Sequence, residues 1–208
     1  MEILILTDAH AGQYNLNFWD IYNKTEENFN FKKVITLGDM IDLWRTNLDD
    51  CLIQNEDNIN FLKKKCINIR GNHDYVLPEI TKIKYYDEYN FKDFWFIHGH
   101  QIEANMSDLP FMSQDDYIKI AKRMCYCSKP IAKILEYLYG IYKTGSNSNI
   151  FRIQKVLQLA EVLYDNVVFG HYHKYRDNNN IKTLPALCDG YYTIWNTKEN
   201  EFKIYKLH

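Results

Sequence analysis

Five short clusters of Asp, Asn and His carry the chemistry legible in this sequence, and each follows an apolar run. Ile3-Leu4-Ile5-Leu6-Thr7 leads into Asp8-Ala9-His10, and Val34-Ile35-Thr36-Leu37 into Gly38-Asp39, with Asp42 three positions on. Cys66-Ile67-Asn68-Ile69 precedes Gly71-Asn72-His73-Asp74, Phe94-Trp95-Phe96-Ile97 precedes His98-Gly99-His100, and Val167-Val168-Phe169 precedes Gly170-His171-Tyr172-His173. An Asp and a His two residues apart, in a loop just leaving a strand, can turn toward one ion. Asp39 lies between two such groups in chain order, and its two oxygens suit a bridge between two ions. Asn72 offers a neutral oxygen that needs no deprotonation. Two divalent ions about 3.5–4 Å apart clamp an oxyanion and activate a water for in-line attack. A phosphate ester fits, because its oxygens carry charge that two cations neutralise. Oxygen and nitrogen donors without thiolates favour manganese, iron or zinc over copper or iron–sulfur.

The clusters need a frame that brings them together. Loops at the carboxyl ends of strands in one sheet open on a shared crevice. Apolar runs at 1–7, 33–37 and 65–69 read as buried strands. Helical spacing separates them at about 14–28 and 49–62. This βαβαβ order predicts a parallel sheet with right-handed crossovers. Residues 80–89 and 91–98 read as two further strands, expected antiparallel. From 103 to 165 helical spacing dominates. Strands are expected again from 166, at 181–187, at 191–196 and at 202–207, with 197–200 a hairpin turn between the last two. The fold class is α/β.

Length and composition bound the reading. The 208 residues suit one domain, or one domain with a large insertion. A 46% hydrophobic fraction is ordinary for a chain with a sizeable core. The net charge of -2 gives no support to bulk binding of nucleic acid or anionic membrane. The five cysteines form no evident disulfide framework. The chain enters a strand without a signal-like segment, and no apolar run approaches a membrane span. A soluble protein of a reducing compartment, the cytoplasm, is the expectation.

Asp8-x-His10, Gly38-Asp39-x-x-Asp42, Gly71-Asn72-His73-Asp74, His98 and Gly170-His171-x-His173 resemble, in order and ligand type, the five motifs of the calcineurin-like metallophosphoesterases. The resemblance spans nearly the whole chain. It implies a two-sheet sandwich flanked by helices, and a hydroxide bridging two metal ions as nucleophile. It further implies that one ion takes Asp8, His10, Asp39 and His173 and the other Asp39, Asn72, His98 and His171. His73 would face the leaving group as acid or phosphate stabiliser, and Asp42 would hold that histidine.

The segment Gly38 to Trp44 and the His98-Gly99 stretch are similar to the UDP-2,3-diacylglucosamine pyrophosphohydrolase group, which also has a helical insertion before its last motif. Two departures count against its substrate: that group has Arg where this chain has His73, and Asp where it has His100. Residues 1–208 are thus expected to form one metallophosphoesterase domain with 103–165 a helical cap. The expected reaction is hydrolysis of a phosphodiester or pyrophosphate of small size, with phosphomonoesters also open. A nuclease is less favoured, since its basic groove sits poorly with the net charge. A non-catalytic metal-binding scaffold is a further alternative, opposed by the full ligand set and His73.

Around the metals, Arg45 is a candidate phosphate contact, with an ordinary surface arginine as the alternative, and His100 is expected either to touch substrate or to support the ligands. Lys122 and Arg123, among the cations of 103–165, are the expected grip on a second phosphate or acidic head group. Against this, the interleaved Asp115, Asp116, Glu136 and Glu161 suit a solvated helical face. Cys125-Tyr126-Cys127 has neither zinc-knuckle nor Cys-x-x-Cys spacing and reads as ordinary helix. The sequence is silent on oligomeric state.

Overall fold

The alternation of side chains along β1 (Glu2–Leu6) decides the layering. Successive strand residues point to opposite faces, so Ile3 and Ile5 enter one apolar cluster and Leu4 and Leu6 another. The computed structural model describes residues 1–44, 47–102, 113, 115–119, 148–178 and 180–207. Among the described residues eleven strands form two sheets. The first has the order β11 (Glu201–Lys206), β10 (Tyr191–Asn196), β1, β2 (Phe31–Leu37), β3 (Cys66–Ile69) and β4 (Tyr85–Tyr86). The second runs β5 (Tyr89–Phe91), β6 (Phe94–Ile97), β7 (Val167–Phe169), β9 (Ile181–Thr183) and β8 (Arg176–Asn178). β1 to β4 are mutually parallel, as are β6, β7 and β9, while β10, β11, β5 and β8 add antiparallel edges.

Ile3, Ile5, Ile35, Leu37 and Ile69 of the first sheet pack with Phe94, Phe96, Val168, Leu184, Trp195 and Phe202. This is the layer between the sheets, and burying it is the main driving force for their stacking. On the other face Leu4, Leu6 and Val34 meet Phe18, Ile21 and Tyr22 of α1 (Phe18–Glu26) and Phe61 and Leu62 of α3 (Glu56–Lys65). Asn17 starts α1 by accepting from the amides of Trp19 and Asp20, a side-chain cap for otherwise orphaned donors. Beyond the second sheet, Val156 and Ala160 of α5 (Ser148–Leu163) pack with Ile97, Val167, Phe169 and Ile181. The result is a sandwich of two sheets with helices on both outer faces. Among the described residues no helix is long and apolar enough to cross a membrane.

Four sequence expectations are corrected. The single helix at 49–62 is two, α2 (Leu48–Gln54) and α3, broken at Asn55. The Asn55 amide donates to the Cys51 carbonyl at 2.9 Å and so competes with the helical ladder. Residues 80–89 are not a strand: α4 (Leu77–Thr81) has Pro in its first turn and stops at Lys82, φ 60°, before the short β4. The run 91–98 contains a turn, because Lys92 at φ 55° reverses the chain and pairs Phe91 with Phe94. Of 181–187 only Ile181–Thr183 is strand; Pro185 follows, with a 3₁₀ turn at Leu187–Asp189. β8 went unseen because its Arg-Asp-Asn sequence has no apolar alternation.

Of the stretch 103–165, residues 115–119 are helical, and α5 flanks the second sheet. The rest of the expected cap, 103–112, 114 and 120–147, lies outside the described residues.

Candidate metal centre

The loops that leave β1, β2, β3, β6 and β7 open at one end of the sandwich and are laced to one another by backbone hydrogen bonds. Asp8 N–H donates to the Gly38 carbonyl (3.1 Å), His10 N–H to Asp39 (2.9 Å), Asp42 N–H to Ala11 (2.9 Å) and Leu43 N–H to His73 (3.1 Å). Asp74 adds a side-chain tie: its two oxygens accept from Gly71 N–H and Met40 N–H, each at 2.9 Å. Burial and then the neighbouring Asp39 push the Asp74 carboxyl up to about 6. Asp74 thus joins two motif loops and is a structural residue.

The backbone at this end is strained. Eight non-glycine residues have positive φ among the described residues, and five of them are Asp8, His10, Asp39, His171 and His173, at 47° to 65°. Such conformations are uncommon for non-glycine residues, although Asn, Asp and His adopt them more readily than others, and they concentrate where surrounding structure enforces them for function. Gly38 and Gly71 make the close approach possible. A Cβ on Gly38 would stand 2.6 Å from Gly71 Cα and 2.7 Å from His98 Nδ1, and one on Gly71 would collide with Asp39.

Among the described residues four groups of donors cluster closely enough for a cation, and two of them fall within the expected ligand sets. In the first, Asp8, His10 and His173 offer ligand atoms that all lie within 4.8 Å of one another; in the second, Asp39, His98 and His171 do the same. His98 Nε2 shows what such an arrangement suits. It lies 3.1 Å from Asn72 Oδ1, 3.2 Å from Asp39 Oδ2 and 3.2 Å from His171 Nδ1. A ring nitrogen has one N–H or one lone pair and satisfies one partner. A cation among these atoms satisfies all of them. In the first group Asp8 Oδ1 is buried and faces His173 Nε2 only at 3.5 Å, so a cation between them would serve both. The sequence-derived ligands Asp8, His10, Asp39, Asn72, His98, His171 and His173 are therefore all brought to this end. The residues fit divalent cations.

Electrostatics agree. Burial works against ionising Asp8, but hydrogen bonding from His173 and the charges of His98 and His173 prevail and hold it at about 2. Asp39 is likewise held well below the usual carboxylate range despite burial, chiefly by His98 and His73. Burial opposes charge on His98, and Asp39 overcomes it, pushing the ring up to about 9. Ionised carboxylates in a buried pocket demand positive charge beside them.

Around this core sit the groups expected to act on substrate. Asp42, fully buried, places Oδ1 3.1 Å from His73 Nδ1 and Oδ2 3.4 Å from His10 Nδ1. His73 N–H donates to Asp39 Oδ1 at 2.7 Å. The His73 ring is stacked on Trp44, 4.4 Å between centroids and 24° between planes. His100 is 2% exposed, with its ring 5.4 Å from that of His98 and 6.1 Å from that of Tyr75. Burial puts it beside a metal-facing histidine and away from solvent. Arg45, Lys122, Arg123, Cys125 and Cys127 lie outside the described residues.

The first 175 residues match the family model described as calcineurin-like phosphoesterase. The chain belongs to that family. Its members' chemistry makes it a metal-dependent phosphoesterase, a hydrolase that works with divalent ions. Among solved structures it is similar to a metallophosphoesterase from Sphaerobacter thermophilus, at 12% identity over 100% of this chain and 89% of that one, TM-score 0.49. It is also similar to Yfce, a phosphoesterase from E. coli, at 12% identity over 100% of both chains, TM-score 0.46. Wild-type Vps29 from Entamoeba histolytica, complexed with zinc, matches at 11% identity over 99% of this chain and 91% of that one, TM-score 0.42. No curated protein matches the sequence.

Four residues at this family site had escaped the sequence reading or been left without a role there: Trp44, Tyr117, Cys188 and Asp189. His173 Nε2 faces Asp8 at 3.5 Å, while its Nδ1 faces Asp189 Oδ2 at 3.5 Å and Cys188 Sγ at 3.8 Å. A thiol therefore stands at the edge of a site read as thiol-free. It comes from the 3₁₀ turn, tied down where Leu187 N–H donates to Thr7 and Cys188 N–H to Asp8. Only the fold reveals that approach.

Proposed function

We propose that this chain hydrolyses a phosphodiester or pyrophosphate with two divalent ions, one held by Asp8, His10, Asp39 and His173 and the other by Asp39, Asn72, His98 and His171. The observation that carries the reading is the convergence of Asn72, Asp39 and His171 on the single Nε2 of His98. When bound, the ions supply Lewis acidity to the phosphate and to the attacking water. Oxygen and imidazole donors suit manganese best, with iron or zinc also compatible.

The protein's own groups do the rest. Asp42 accepts from His73 and His10 and so fixes the rotation of both rings. His73, aligned by that carboxylate and by Trp44, faces the leaving group and gives it a proton. The buried His100 supports His98 rather than reaching substrate. Arg45, Lys122 and Arg123 remain the proposed phosphate contacts. Kinship to the UDP-2,3-diacylglucosamine pyrophosphohydrolase group is proposed for the scaffold, and cytoplasmic residence for the protein.

The test is a panel of phosphomonoester, phosphodiester and pyrophosphate substrates assayed with manganese. Turnover of diesters or pyrophosphates above monoesters supports the reading, and preference for monoesters refutes it. His73→Ala should lower turnover by roughly 10²–10⁴-fold, the usual worth of a positioned acid or base. The loss should shrink for nitrophenolate, which leaves without a proton.

A further inference from the structure

His73 is held by a ring whose own support the reaction scheme does not use. Its ring lies flat against Trp44, and Trp44 is held in two places. The Trp44 amide donates to Asp42 Oδ1 at 2.9 Å, the same oxygen that faces His73 Nδ1. The indole Nε1–H donates to the Tyr117 hydroxyl at 2.6 Å. That hydroxyl in turn donates to the backbone carbonyl of Asn72 at 2.7 Å. One phenol oxygen therefore joins the ring that stacks on His73 to the backbone of the residue before His73.

Tyr117 is a deliberate fixture by its burial. It is 2% exposed, and its ring lies 6.2 Å from that of Tyr75, whose ring edge meets His100. A part-buried indole N–H and a buried phenol each need a partner, and losing one leaves the other unsatisfied. Here each serves the other, in the helical stretch 115–119 that lies between the fourth and fifth motifs. The Tyr117 amide is anchored to the Ser113 carbonyl at 3.0 Å. Rotation of the indole would break the Nε1–H bond, so the plane of Trp44, and with it that of His73, follows from where Tyr117 stands.

We propose that Tyr117 is a positioning residue for His73, acting through Trp44, so that the segment between the fourth and fifth motifs sets how well the leaving group is served. This rests on the reading of His73 as the group facing the leaving group. A displaced acid costs most where the leaving group most needs its proton.

The experiment uses the full chain with saturating manganese and phenyl phosphodiesters graded from nitrophenyl to unsubstituted phenyl. Tyr117→Phe removes one oxygen, and Trp44→Phe keeps a ring on His73 but removes the N–H. Both should lower kcat on the phenyl ester by roughly three- to tenfold, the scale of one hydrogen bond. Both should leave KM, bound metal and the nitrophenyl rate near wild type. In a His73→Ala background the Tyr117→Phe loss should vanish, because a positioning effect has nothing left to position. A Tyr117→Phe loss that persists undiminished beside His73→Ala overturns this inference alone. So does loss of bound metal in Tyr117→Phe with Trp44→Phe at full rate, since Tyr117 would then serve the Asn72 loop. Full turnover by His73→Ala overturns the reading of His73, and this inference with it.

Discussion

Asp42 divides its two oxygens between two histidines, Oδ1 toward His73 and Oδ2 toward His10. One carboxylate thus orients both a proposed metal ligand and the proposed acid. Buried charge is tolerated there because each oxygen faces a ring nitrogen that can donate to it. Asp42→Asn keeps the shape but replaces one acceptor with a donor, which cannot suit both rings. Turnover should fall roughly 10–100-fold, with weaker metal retention, as for other groups that orient metal ligands. Steady-state kinetics with elemental analysis checks it; unchanged rate and metal content would show that the two contacts are incidental.

Asp39→Asn tests the proposed bridge. Asp39 Oδ2 faces His98, and its backbone carbonyl holds His10. Removing its charge leaves two close cations with less compensation, and their repulsion rises accordingly. Both ions should be lost, with near-complete loss of hydrolysis. Purified mutant protein that retains two ions per chain and turns over normally would refute the two-ion reading.

Gly71→Ala should damage the site without touching a ligand. Its Cβ would collide with the Asp39 amide and carboxylate and sit 2.9 Å from Asp74 Oδ1. Overpacking of this kind costs about 1–3 kcal/mol, which for a chain of this size lowers Tm by roughly 2–12 °C. Metal retention should fall too, because Asp39 is the atom that must move. Gly190→Ala is the control. Gly190 has φ +84° but open space around its Cβ, so strain alone should lower Tm, with metal content unchanged.

The sequence carried the donor set because each ligand cluster ends an apolar strand, and strand ends of a parallel sheet share one edge. Asp8, Asp39 and Asn72 are legible from β1, β2 and β3 for that reason. What failed was local and short. Pro78 in the first turn of α4 is a helix-start signal that the neighbouring Ile80, Thr81 and Ile83 outweighed. The turn at Lys92 is set by one left-handed residue with no glycine to announce it. Asp189 and Tyr117 reach the site across long chain separations, and no spacing rule records a side chain arriving from elsewhere. The strained φ values at His10 and His171 are likewise properties of the packed loops.

Adding manganese should stabilise the protein. Asp8 Oδ1 is buried with only a long 3.5 Å contact to His173, and ionised carboxylates crowd the pocket, so a bound cation relieves costs the folded chain otherwise carries. A ligand at about 100 times its Kd that binds only the folded state adds about 2.7 kcal/mol, or roughly 5–10 °C in Tm. Calorimetric melting with and without chelator measures it. Asp39→Asn should abolish the shift. A wild-type Tm indifferent to metal would mean that the donors hold no ion.

Trimming the segment between the fourth and fifth motifs separates its anchoring parts from its proposed role in selectivity. The metals can act on any phosphate that reaches them, so discrimination must come from what surrounds them. Replacing all of 104–164 removes Tyr117, Val156 and Ala160, three buried residues, two of which pack on the second sheet. That variant should melt well below wild type. Replacing only 120–147 by a Gly/Ser linker keeps Tyr117 and α5. It should keep Tm, bound metal and activity on a small nitrophenyl diester, while activity on a larger substrate collapses, because remote binding contributes to turnover as well as affinity. The measurement is the ratio of kcat/KM for large and small substrates. A folded, metal-loaded 120–147 variant with the wild-type ratio would show that this stretch takes no part in substrate choice.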